Sequence, residues 1–160
     1  MLFRSEPHLD VIAVEVYRKG LAQLLGGVDR AGLTNVRFVR GDGVDVLEHM
    51  IAPGTLTAVR VFFPDPWPKA RHHKRRVVQD ASLAQFHRIL LPRGEVRIVT
   101  DHDALWAWNE EHAERNAHLF DRVAFERPAS AGEGEFVGSN FERKYRREGR
   151  RFHAMTLRKR

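Results

Sequence analysis

The chain has 160 residues, 42% of them hydrophobic and 30% charged, which fits one domain with a packed core and excludes wholesale disorder. It has no cysteine, so disulfides, zinc–thiolate sites and cysteine nucleophiles are excluded. Its apolar runs fall far short of the ~20 residues that cross a bilayer, and the opening MLFRSEPH lacks the apolar stretch of a secretory signal. A single soluble domain over residues 1–160, in the cytoplasm, is expected.

Taken in chain order, strand-like and helix-like apolar patterns alternate. Leu9 to Glu15 reads as a buried strand, and Tyr17 to about Ala31 as a helix with Leu21, Leu24 and Leu25 on one face. Val36 to Val39 is a second strand, and Gly43 to Met50 a short helix that ends near Pro53-Gly54. Leu56 to Phe63 is a third strand stopped by Pro64. Lys74 to Leu91 reads as a helix, with Val78, Leu83, Phe86 and Leu90 at helical spacing and Pro92-Arg93-Gly94 as its stop. Glu95 to Thr100 is a fourth strand, Asp103 to about Leu119 a helix, and Phe120 to Glu126 a strand. A Gly/Ala/Ser loop follows, and Phe152 to Leu157 closes the chain as a last strand. The alternation predicts an α/β fold, a parallel sheet covered by helices on both faces, with the last two strands as an antiparallel edge.

The net charge of +6 is unevenly placed. Residues 143–160 hold nine Lys/Arg against Glu148 alone, and residues 69–76 hold five with no acid, while the remainder is acidic overall. Two concentrated basic segments on an acidic body suit a polyanion, although solvated charge runs give the same pattern. Positive charge at the start of a helix opposes its dipole, which favours an anionic partner for Lys69, Arg71, Lys74, Arg75 and Arg76. The stretch Arg143 to Arg151 reads as an RNA contact more readily than as a solvated helix face.

In a sheet of this kind ligands bind beyond the carboxyl ends of the strands. Glu15, Asp42, Asp65 and Asp101 each fall there, as a shared acidic pocket or as caps of the helices that follow. The densest motif is Phe62-Phe63-Pro64-Asp65-Pro66-Trp67-Pro68-Lys69. Its carboxylate, fixed between prolines and beside a flat ring, suits a purine whose N–H groups it would accept. A rigid turn with a packed Trp is the other reading. His72-His73 do not read as a metal site, because neighbouring helical side chains point about 100° apart. Trp106 and Trp108 read as packing.

The stretch FFPDPWPKARHHKRR, residues 62–76, resembles the signature of the tRNA (guanine-N7)-methyltransferase family. Thr100-Asp101-His102 and Ser139-Asn140-Phe141-Glu142 follow in the family's order, and Ala13-Val14-Glu15 and Gly41-Asp42-Gly43 precede it. The resemblance implies a Rossmann-like class I methyltransferase sheet that uses S-adenosylmethionine and forms N7-methylguanosine in the tRNA variable loop. By motif position, Glu15, Asp42 and Asp65 would meet the cofactor, with Glu15 on its ribose and Asp42 near its adenine. Asp65 would also be the catalytic or guanine-orienting acid. Lys69, Asp101, Ser139, Asn140, Phe141 and Glu142 would bind the substrate, and Arg71, Lys74, Arg75, Arg76, Arg146 and Arg147 the RNA. Two departures stand out. Ser139 replaces the family's threonine and keeps its hydroxyl. The family's opening strand and glycine-rich cofactor loop have no counterpart before Gly20, so an N-terminally incomplete chain is expected, with a non-catalytic RNA-binding remnant as the alternative function.

Overall fold

The computed structural model describes residues 8–129 and 131–160. Residues 1–7, which carry most of the opening segment read above for a secretory signal, and Ser130 of the loop lie outside the described residues. The length predicts one domain. The chain gathers into two compact units, one from the described part of Met1–His49 with Arg127–Lys144, the other from Met50–Glu126 with Tyr145–Arg160. No helix among the described residues is long and apolar enough to cross a membrane.

In the first unit, β1 (Val11–Val14) pairs in parallel with β2 (Val36–Val39), with Val11 opposite Val36 and Val14 opposite Val39. Between them runs α1 (Arg18–Arg30), which ends as Gly32 turns to φ 62°, a conformation that glycine adopts without a Cβ penalty. Two expectations fail here. The first strand is not buried: Ile12 is 47% exposed, and among the described residues β1 pairs with β2 alone. The inward face of α1 includes buried Val28, while Leu25, at a spacing that would also allow it inward, is exposed. The short α2 (Gly43–His49) follows β2 and buries Val46.

The second unit is a four-stranded sheet in the order β3-β4-β6-β5. β3 (Leu56–Phe62) and β4 (Leu90–Thr100) are parallel. β6 (His153–Lys159) lies antiparallel between β4 and β5 (Phe120–Val123), the antiparallel edge expected from the sequence. β4 is the centre of this unit, with Val96, Ile98 and Val99 fully buried. It starts five residues earlier than the sequence predicts. Leu90 pairs with Leu56, and residues 91–94 bulge out before Glu95 meets Ala58. Pro92 and Arg93 sit in that bulge, exposed, with Arg93 at φ 62°, so a turn signal lies inside a strand.

The helix expected from Lys74 is shorter and displaced. A 3-10 helix covers Ala70–Arg75, the chain then extends, and α3 spans only Asp80–Ile89. The break is built from side chains. The Gln79 amide donates to the carbonyls of Lys74 and Arg76, and its backbone N–H donates to the Ser82 hydroxyl at 2.9 Å. α4 (Asp103–Arg115) begins where the His102 ring accepts from the Leu105 N–H. The helix α5 (Asn140–Arg147) starts at the Ser139 segment.

Candidate functional site

Two of the four strand-end acids belong to the first unit. Glu15 follows β1, and its backbone N–H donates to Val39 O at 3.1 Å, so the carboxyl ends of β1 and β2 lie side by side. Its Oε1 accepts from the Tyr17 N–H at 2.8 Å. Asp42 sits exposed past β2, and its Oδ1 accepts from the Val44 N–H at 2.8 Å. Each carboxylate is thus steadied by the turn that follows it, as a helix-capping acid would be.

Ser139-Asn140-Phe141-Glu142 opens α5. Ser139 Oγ accepts from the Glu142 N–H at 3.0 Å, the first half of a capping box. The Glu142 side chain does not complete the box. It is fully buried and accepts from three successive backbone N–H groups, those of Phe136 (2.6 Å), Val137 (2.9 Å) and Gly138 (3.0 Å). The carboxylate expected at the substrate thus accepts from the loop of residues 136–138, which it holds. Asn140 and Phe141 are exposed.

In the second unit, the Phe63 N–H donates to Val99 O at 2.8 Å, so β3 and β4 end together. Asp65 and Asp101 lie just beyond these two ends. Asp65 is exposed and stands between two non-glycine residues with positive φ, Phe63 at 52° and Trp67 at 42°. Such backbone persists only where its surroundings hold it, and it gathers at functional sites. The Trp67 ring carries the Arg75 guanidinium 4.9 Å from its centroid, and the edge of His72 at 5.7 Å. Lys69, Arg71, Lys74 and Arg75 are exposed along and just before the 3-10 helix. Arg76 is not. It is 4% exposed, and its Nε donates to Pro66 O at 2.9 Å. Of the five cations of residues 69–76 expected at an anionic partner, Arg76 alone is buried.

Asp101 is held by a residue 49 positions away. Its Oδ2 accepts from Arg150 Nη1 at 2.7 Å, and this bond raises the Arg150 pKa above its ordinary value. Arg150 also lies 3.6 Å over the Tyr145 ring and pairs with Glu148 at 3.0 Å. Arg146 lies 4.9 Å over Phe152, whose ring meets Phe63 edge-on at 5.9 Å. Next to them, His153 stacks on Trp106 at 5.1 Å and bonds Asp103 at 2.7 Å, which lowers the Asp103 pKa. Arg147 is exposed. Sequence reading missed the Arg150–Asp101 pair because no local pattern links positions so far apart. Among the described residues, no group of three or more His, Asp or Glu is placed to hold a metal ion.

Two solved structures are similar to this chain in fold. An rRNA methylase from Streptococcus thermophilus superposes with a TM-score of 0.59 at 15% identity, over 94% of this chain and 73% of that one. The N-methyltransferase NodS from Bradyrhizobium japonicum, solved with S-adenosyl-L-homocysteine, gives 0.56 at 9% identity, over 92% and 65%. The fold is thus that of the Rossmann-like class I methyltransferases. Residues 2–155 match the family described as "Putative methyltransferase", and the chain belongs to that family. Two curated relatives named tRNA (guanine-N(7)-)-methyltransferase are similar to it. The one from Mycobacterium sp. (strain KMS) is 66% identical over 97 residues, which is 61% of this chain and 35% of that protein. The one from Nocardia farcinica is 58% identical over 98 residues, 61% of this chain and 36% of that protein. The match thus spans about a third of the length of these relatives.

Proposed function

We propose that this chain carries the methyl-transfer site of a tRNA (guanine-N7)-methyltransferase, acting on a guanosine of the tRNA variable loop in the cytoplasm. Asp65 carries the reading: an exposed carboxylate in a backbone-strained turn, followed four to ten residues later by four exposed cations. The names of the curated relatives support it.

N7 of guanine has a lone pair and no proton, so the site need not remove one, and positioning supplies much of the acceleration. Asp65 accepts hydrogen bonds from guanine N1–H and the exocyclic amine. As methylation makes the purine cationic, that carboxylate becomes a better partner, which stabilises the transition state more than the ground state. Lys69 and the exposed Arg71, Lys74 and Arg75 meet the phosphates near the target base, with Arg147 as a further cation. Asp101, tethered by Arg150, borders the guanine, and Ser139, Asn140 and Phe141 of the first unit are further substrate contacts. Glu142 shapes their loop from inside.

S-adenosylmethionine supplies the methyl group when bound. The donor set fits it: Glu15 and Asp42 stand at adjacent strand ends, where carboxylates accept from ribose hydroxyls and an adenine amine.

The test is methyl transfer from labelled S-adenosylmethionine to a tRNA transcript, with the modified base identified. Asp65→Asn is expected to lose several orders of magnitude in rate while tRNA affinity stays within a few-fold. A fully active Asn variant, or label on an atom other than guanine N7, would refute the proposal.

A further inference from the structure

Five basic residues follow the Asp65 turn, and four of them are exposed. The fifth, Arg76, faces the other way. Its Nε donates to the carbonyl of Pro66, the residue after Asp65, at 2.9 Å. Its guanidinium lies 4.9 Å from the Trp108 ring centroid on α4. Trp108 is itself anchored. Its Nε1–H donates to Val78 O at 2.7 Å, and its ring packs on His112 at 4.4 Å. His112 is buried and bonds Asp80 at the start of α3 at 2.8 Å, where Asn116 and Arg115 also converge. An unbroken path of contacts therefore runs from the buried end of α4 to the peptide beside Asp65.

The bond from a cation to the Pro66 carbonyl is charge-assisted, stronger than a neutral one, and it fixes the peptide that leads into Trp67. Trp67 sits at φ 42°, a conformation that relaxes unless it is held. We propose that Arg76 is a positioning residue for Asp65: from the buried side it holds the Asp65-Pro66-Trp67 turn in its strained form, and it does not touch the RNA. Its role in the reaction rests on the reading that Asp65 faces the guanine. Its hold on the turn does not.

Arg76→Lys keeps the charge but lacks the planar fork that reaches Pro66 and stacks on Trp108. In the full chain, three readouts are expected to move separately. Amide exchange at His72, whose N–H donates to Lys69 O at 2.8 Å just beyond the turn, rises at least about tenfold, as a released turn opens more often. The rate constant kcat falls about 10- to 100-fold with KM for tRNA within about twofold, because a displaced group near the reacting atoms costs rate rather than binding. In Arg76→Gln the log–log salt slope of tRNA binding stays at the wild-type value, whereas Arg75→Gln lowers its magnitude by about 0.7 to 0.9. Trp108→Phe, which loses the bond to Val78 but keeps a ring under Arg76, shows the same exchange and kcat changes in weaker form, and it decides the matter if Arg76→Lys does not fold. Unchanged exchange at His72 overturns the proposal, and so does a flattened salt slope in Arg76→Gln. Wild-type protein without methyl transfer would instead defeat the functional reading, and the exchange data would still decide the hold of Arg76 on the turn.

Discussion

Replacing Glu142 with alanine should be among the most damaging single changes in the first unit. Its carboxylate is fully buried and accepts from three backbone N–H groups, at 2.6, 2.9 and 3.0 Å. Hydrogen bonds to a charged group are worth about 1.5–3 kcal/mol each, and a buried donor left unsatisfied costs about 1–3 kcal/mol. The three do not add, because the loop of residues 136–138 can open and hydrate some of them once the carboxylate is gone. A net loss of about 3 kcal/mol is the expected scale, which for a chain of this size lowers Tm by roughly 6–12 °C. Glu142→Gln should fall between. Oε2 accepts from both Val137 and Gly138, so the amide oxygen can keep those two bonds while its NH2 meets the Phe136 N–H donor to donor. Thermal melts followed by circular dichroism measure the series. An alanine variant that melts within about 2 °C of wild type would show that the carboxylate does not organise this loop, and would leave Glu142 as a substrate contact alone.

Asp80 makes the fold acid-sensitive. Its hydrogen bond to His112, helped by Arg115 and Asn116, lowers its pKa from 3.8 to about 2. Its contribution is therefore present above the unfolded-state value and disappears as pH falls from about 4 towards 2, and Asp80→Asn should flatten the curve of denaturant midpoint against pH in that window alone. Gly94→Ala should destabilise by about 1–3 kcal/mol in urea unfolding, because a Cβ there would sit 2.9 Å from Leu91 O and 3.1 Å from Leu90 Cβ; a neutral result would mean that the bulge is not rigid. Replacing Arg71, Lys74 and Arg75 together with glutamine should reduce the log–log salt slope of tRNA binding by about 2 to 3, and an unchanged slope would mark this face as merely solvated.

What could be read in the sequence was what depends on near neighbours. β2 lies where the apolar pattern predicts, β3 to within one residue, and α2 and α4 start where expected. Side-chain periodicity and capping act over a few positions and survive without knowledge of the rest of the fold. The acids at the strand ends were legible for the same reason, because a strand followed by a turn puts its last residues at one edge of a sheet. The type and spacing of residues 62–76 pointed to a purine and a phosphate chain before any coordinate was known.

Tertiary structure decided which way the charged groups face. Arg75 and Arg76 are neighbours of one type, yet one is exposed over Trp67 and the other buried against Trp108, because the chain leaves the 3-10 helix between them and turns the second inward. Glu142, read from sequence only as a substrate contact, is also the anchor of its own loop, since a buried carboxylate is stable only where donors surround it. The residues between Leu90 and Glu95 read as a stop and became a bulge, because pairing with β3 on both sides of them outweighs the turn preference of proline and glycine. The bond between Asp101 and Arg150 joins positions 49 apart, a distance over which no local pattern acts and only the folded chain brings charges together.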